Sequence, residues 1–232
     1  MQGRKKKTAS LISNVRRLSM QPPKSSICVL CGDRPATTRD HIPPKGLFKG
    51  LGVQLITVPA CSICNNGASS DDEDLRYFIS AQIGKQSPGS AKLWDDGAHK
   101  SIKRKTKLRE SVIASASEVE TSGGQGNIDV RIAFEAPVSI YQKVFERTTR
   151  GLYFFHTGRI LPPNTKVVVD MLDSQPELNT PEIQSLTKHC IGAEAFVYRF
   201  GVDEADNSLW LYEFYGSHWV MAKTGAVIED AF

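Results

Sequence analysis

Four cysteines in two tight pairs constrain this chain more than any other feature. Cys28 and Cys31 stand in the string ICVLCGD, and Cys61 and Cys64 in PACSICNNG. The C-x2-C spacing lets two thiolates turn toward one metal ion. Two such pairs complete the four-sulfur tetrahedral shell that structural zinc prefers. The chain of 232 residues holds five cysteines, so four in metal-binding spacing is hard to ascribe to chance. A redox role for one C-x2-C pair would need a βαβ setting, and none is visible here. The fifth cysteine, Cys190 in LTKHCIG, reads as a small buried apolar residue.

With 40% apolar and 23% charged residues, the chain can build one good core, or one core and a small satellite domain. No apolar run approaches the ~18 residues of a membrane-spanning helix. No apolar segment follows the basic start as it would in a secretory signal. No membrane partner is therefore expected. A reducing, cytoplasmic setting fits, with thiolate ligands rather than disulfides.

The net charge of +4 is unevenly spread. Residues 1–24 carry Arg4, Lys5, Lys6, Lys7, Arg16, Arg17 and Lys24 and no acid, which leaves the rest at −3. A second basic stretch runs from His99 to Arg109 through Lys100, Lys103, Arg104, Lys105 and Lys107. Either run alone reads as a solvated tail or helix face. Together they suit a phosphate backbone and the counterion release that accompanies its binding. Leu11, Ile12, Val15 and Leu18 also fall at helical spacing in the acid-free arm, which keeps an organelle presequence open as an alternative.

Breaks in composition divide the chain into four segments. Residues 1–24 form a mobile basic arm ending at Pro22-Pro23, and residues 25–84 hold the cysteines. Residues 85–124, bounded by glycine clusters, read as a polar and basic linker with helix over 99–118. Residues 125–232 read as a separate mixed α+β domain. There Ile128, Val130, Ile132 and Phe134 alternate as in a half-buried strand. The run from Val138 to Phe155 has helical spacing, and Thr180-Pro181 opens a short helix. Lys166–Leu172, Ala195–Val202, Ser208–Phe214 and His218–Lys223 read as strands. The aromatics of this part suit a core, its histidines (His156, His189, His218) look isolated, and it carries no catalytic motif.

The cysteine segment carries chemistry of its own. Its strands are expected over Thr37–Ile42 and Leu55–Val58, and a helix follows the second pair through Leu75, Tyr77, Phe78 and Ile79. Knuckle, hairpin, knuckle, helix is a treble-clef ββα order, with zinc replacing the core that about 60 residues can barely supply. The 29 residues between the pairs include Arg39-Asp40-His41-Ile42-Pro43-Pro44-Lys45. A neutral imidazole can take a proton from water, and a divalent cation on oxygen ligands can stabilise a phosphorane and its leaving group. Asp40 and His41 offer both ligand types, and Asn65 adds an amide oxygen beside the staple. Asp72 and Glu73 are available to reinforce such a site, though acids at a helix start are ordinary. Lys45 either meets phosphate or covers a turn.

Residues 27–80 resemble the zinc-containing HNH endonucleases of the ββα-metal type. The resemblance rests on the first C-x2-C, on Arg39-Asp40-His41-Ile42-Pro43-Pro44-Lys45-Gly46-Leu47-Phe48, and on Val58-Pro59-Ala60-Cys61 with Cys64-Asn65-Asn66-Gly67. It implies that His41 is the general base. It also implies that Asp40 and Asn65 hold a catalytic divalent metal (Mg2+, Mn2+ or Ni2+), and that Cys28, Cys31, Cys61 and Cys64 hold a structural zinc. The partner it implies is nucleic acid, DNA ahead of RNA. The family's middle asparagine has no counterpart in Leu55–Ala60; Thr57 within that stretch or Gln54 just before it is the available substitute. The alternative function is a non-catalytic zinc-finger adaptor for nucleic acid or protein.

Overall fold

The computed structural model describes residues 23–81, 87–122 and 128–225. Most of the basic arm, with its Leu11, Ile12, Val15 and Leu18, and the glycine clusters around Gly84 and Gly123 lie outside the described residues. No helix among them is long and apolar enough to cross a membrane.

Strands β1 (Thr38–Ile42) and β2 (Ile56–Ala60) pair antiparallel, with Asp40 opposite Val58 and His41 opposite Thr57. The first cysteine pair precedes β1 in a knuckle. The Gly32 amide donates to the Cys28 carbonyl at 2.8 Å, and Cys28 N–H donates to Arg34 at 2.8 Å. Gly32 has φ +67°, left-handed geometry that glycine adopts without steric cost. The second pair opens helix α1 (Ser62–Asn66), where the Cys61 sulfur caps the N-terminus by accepting from Cys64 N–H. Helix α2 (Ser69–Ser80) follows, with Asp71 and Asp72 in its first turn, where the helix dipole favours negative charge.

The expected linker is packed structure. Helices α3 (Pro88–Leu93), α4 (His99–Arg104) and α5 (Thr106–Ser115) bury Leu93, Leu108 and Val112 in the main core. Part of its basic run is spent internally. Arg104 pairs with Glu73 at 2.7 Å, and Lys105 with Asp74, at the acidic start of α2. Strands β3 (Ser117–Ser122) and β4 (Ile128–Ala133) form a two-stranded ribbon. The alternation in β4 called for a half-buried strand, but Ile128, Val130 and Ile132 are exposed, because among the described residues no second layer covers the ribbon. Only Phe134 turns inward, against Tyr77 and Phe78.

Helix α6 (Val138–Thr157) crosses the face of a five-stranded antiparallel sheet. Its strands are β5 (Val167–Leu172), β6 (Thr187–Ile191), β7 (Phe196–Val202), β8 (Ser208–Phe214) and β9 (His218–Thr224), in spatial order β5-β9-β8-β7-β6. A short helix α7 (Pro181–Gln184) starts at Thr180, whose hydroxyl accepts from Ile183 N–H. Strand β6 has no strong apolar alternation and escapes a sequence reading. As an edge strand it turns Cys190 outward, so that cysteine is exposed and not buried as expected. The histidines are not isolated either. His156 and His189 lie 4.8 Å apart, and the His156 ring bonds the Tyr198 hydroxyl at 2.9 Å.

The C-terminal part, expected as a separate domain, shares its core with the cysteine segment. One hydrophobic cluster runs from Cys28, Ile42, Leu47 and Phe48 to Phe145, Phe196, Tyr212 and Phe214. Phe48 meets Phe196 and Phe214 at 6.3 and 6.4 Å, and the Tyr215 hydroxyl donates to the Leu47 carbonyl. The reason is volume: a segment of some 60 residues buries its apolar side chains only against another layer. Gly151 of α6 makes this contact possible, since a Cβ there would lie 2.6 Å from Ile42 Cγ1. Gly151→Val is expected to lower stability by about 1–3 kcal/mol through overpacking, read as a lower urea midpoint with an unchanged slope.

Candidate functional site

The four cysteine sulfurs lie within 4.8 Å of one another. A zinc–sulfur bond of about 2.3 Å in a tetrahedron places sulfurs about 3.8 Å apart, so small side-chain adjustments suffice. The donor set fits as well, because four thiols with no disulfide among them suit a soft, tetrahedral ion. The cluster can hold a structural metal such as zinc.

Arg34 adds a feature absent from a simple sequence motif. Its guanidinium donates to Cys61 Sγ at 3.2 Å and Cys64 Sγ at 3.3 Å. Such donors stabilise thiolate charge and orient the ligands. The two thiols nevertheless hold their protons unequally, although Arg34 favours the thiolate of both. Burial pushes Cys64 up to about 12. Cys61 resists its own burial and is held down to about 6 by the Cys64 amide and Arg34.

Beside the staple lies a cleft of about 480 Å³, lined by Asp40, His41, Lys45, Asn65, Asp72 and Glu73 among others. Asp40 and His41 come from β1, Asn65 from the end of α1, and the acids from α2. The cysteines fix how α1 meets β1, so they also fix how Asn65 meets Asp40. The Asn65 amide donates to Thr38 Oγ1 and to the Arg39 carbonyl, both at 3.1 Å. It therefore braces the strand that carries the Asp-His pair. Thr57, a candidate for the missing asparagine, is engaged elsewhere: its hydroxyl accepts from Arg39 Nε at 3.0 Å. Gln54 lies outside the residues lining this cleft.

His41 is half-buried. Burial, and then the positive charge of Lys45, hold its imidazole below the usual value of 6.5. It is therefore neutral and able to accept a proton at pH 7.

Asp40 is buried, and its partner is one that sequence reasoning missed. Arg147 of α6 brings Nε to 3.4 Å from Asp40 Oδ2, and its Nη2 pairs with Asp72 Oδ1. The available signal was a charge on the apolar face of α6, one helical turn before Gly151 and next to Thr148. Burial raises the Asp40 carboxyl pKa, while Arg147 and the His41 amide pull it down. Burial likewise raises Asp72 to about 6 against the opposing pull of Arg147. The Asp40 Oδ2 atom accepts no hydrogen bond, even with the guanidinium beside it.

Hard oxygen donors of this kind suit Mg2+ or Mn2+, which commonly bind one or two carboxylates and keep several waters. Among the described residues, the cysteines are the one group of three or more Cys, His, Asp or Glu gathered closely enough to hold an ion by themselves. No family model, curated protein or solved structure matches the chain.

Two outcomes follow from this geometry. The chain should carry about one zinc, and Cys61→Ser with Cys64→Ser should abolish both the metal, by elemental analysis, and the dispersed amide spectrum of residues 25–81. The second concerns Asp72, whose folded pKa exceeds the ordinary 3.8. The native state then holds the proton more tightly. That favours folding at low pH, and the advantage disappears as pH rises from about 4 to about 6. In urea titrations across this range, Asp72→Asn should flatten that part of the pH dependence.

Proposed function

We propose that the chain is a metal-dependent endonuclease of HNH type, built on a treble-clef zinc module and hydrolysing phosphodiester bonds in DNA. The observation that carries this reading is that Asp40, His41 and Asn65, from two different elements, line a single cleft beside the cysteine cluster. A neutral His41 would take the proton from an attacking water. Asp40 and Asn65 would hold a divalent cation (Mg2+, Mn2+ or Ni2+), which supplies charge stabilisation for the phosphoryl group and leaving oxygen. Asn65 would serve that role through its carbonyl oxygen, since its nitrogen braces β1. Lys45, exposed at the mouth of the cleft, would meet the phosphate backbone and helps keep His41 unprotonated.

One observation favours the second reading, a non-catalytic adaptor: Arg147 already gives Asp40 and Asp72 a fixed positive charge. In that reading the Asp-His pair stabilises the loop and the staple presents a binding surface.

Nicking of supercoiled plasmid with each metal separates the two. A nuclease should lose about a hundredfold or more of its activity in His41→Ala. Its activity should fall only below about pH 6.5, because the lowered pKa keeps the base neutral to that point. Equal inertness of wild type and His41→Ala across metals and across DNA and RNA substrates would leave the adaptor.

A further inference from the structure

A second cleft of about 650 Å³ opens from the first. The two share His41, Lys45 and Gly46, and the second continues along Phe48, Lys49, Gly50, Gly52, Val53 and Leu55. Its volume falls within the range of about 300–1,000 Å³ typical of small-molecule sites.

Its chemistry differs from that of the first cleft. Asp40, Asp72 and Glu73 line the first beside Lys45 and Arg76, whereas among the described residues no acid lines the second. Lys45 opens the 3-10 turn Lys45–Phe48 and Lys49 follows it, and both side chains line this cleft. Both are exposed, and neither pairs with an acid among the described residues. The far wall is apolar and partly open: Val53 and Leu55 are half-buried, and Phe48 lies behind them in the shared core. Lys92 steadies the rim by donating to the Gly50 carbonyl at 3.1 Å. Asp96 lies close to this rim: a Cβ on Gly50 would meet its carboxylate at 3.1 Å, with the Lys92 ammonium at 3.3 Å.

We propose that this second cleft is a subsite for one unpaired nucleotide, with its phosphate on Lys45 and Lys49 and its base against Val53 and Leu55. Cation at one end and apolar wall at the other is the pattern that binds a nucleotide taken out of its stack. The shared His41 would place this nucleotide next to the phosphate in the first cleft, and in that respect the inference rests on the proposed phosphodiester chemistry. The substrate class that follows is single-stranded nucleic acid, or a duplex from which one nucleotide is extruded.

The experiment is a titration of the 15N-labelled, zinc-loaded full chain, without Mg2+ or other added divalent ion. The probes are a deoxynucleoside monophosphate, the matching deoxynucleoside and inorganic phosphate. The monophosphate should shift the amides of Gly46, Gly50, Gly52 and Val53 with a Kd of about 1 mM. Lys49→Glu, a change at an exposed residue, should weaken the monophosphate about tenfold and spare the deoxynucleoside. Val53→Ser should weaken the monophosphate at least about fivefold and spare inorganic phosphate. Absence of shifts in this loop at about 10 mM monophosphate, or equal affinity for monophosphate and inorganic phosphate, would overturn the subsite. No phosphodiester or catalytic metal is present, so this result stands apart from the nicking assay: an inert wild type leaves the binding result intact, and failed binding leaves cleavage untouched.

Discussion

Four sulfurs within 4.8 Å of one another hold together residues separated by more than thirty positions in the chain. Everything local to the site inherits its geometry from that closure. The knuckle before β1 and the turn opening α1 share the cluster, so the end of α1 must lie against β1. Asn65 can then reach the Arg39 carbonyl and hold the strand one residue before Asp40. A segment this short has too few apolar residues to specify such an arrangement by burial alone. Arg34 strengthens the closure from outside, contributing hydrogen bonds to the two sulfurs of the second pair.

A second constraint joins the halves of the molecule. Arg147 and Gly151 lie on one face of α6, a turn apart. The arginine reaches between buried Asp40 and half-buried Asp72, and the glycine lets Ile42 of β1 approach the helix. A buried arginine between two acids is no strong stabiliser by itself, because desolvating the charges offsets much of their attraction. Its effect is to make α6 part of the Asp40 site, so that the cleft depends on residues about a hundred positions apart in the chain. The electrostatics change along the surface accordingly: carboxylates and a guanidinium line the cleft beside the staple, Lys45 stands where the two clefts meet, and Lys49 and an apolar wall line the second.

Much of the secondary structure was legible because its signals are local. Helix α6 shows itself in the three- and four-residue apolar spacing after Pro137, and β7, β8 and β9 in runs rich in aromatic and branched residues. Strand β6 was not legible, since its sequence TKHCI alternates weakly and pairs along one edge only. The exposed stripe of β4 misled for the opposite reason: period-two alternation marks a strand with an apolar face, not what covers that face. The helices after α2 looked like linker because their composition is polar and basic. Leu93, Leu108 and Val112 are few, yet they pack, and Arg104 and Lys105 are bound to acids.

The amino-acid sequence by itself singled out Cys28, Cys31, Cys61 and Cys64 as a set that could hold a metal, and Asp40, His41 and Asn65 beside it. Thiolate spacing is a covalent constraint readable without a fold, and the Asp-His pair lies within the loop those thiolates close. The tertiary structure alone decided that Arg147 faces Asp40 and Asp72, that Thr57 serves Arg39, that the cysteine segment shares its core with the five-stranded sheet, and that a cationic, apolar-walled cleft continues past His41. Each depends on contacts between residues distant in the chain. Such contacts arise from burying surface against a second layer, and no local pattern of residue types encodes which surfaces will meet.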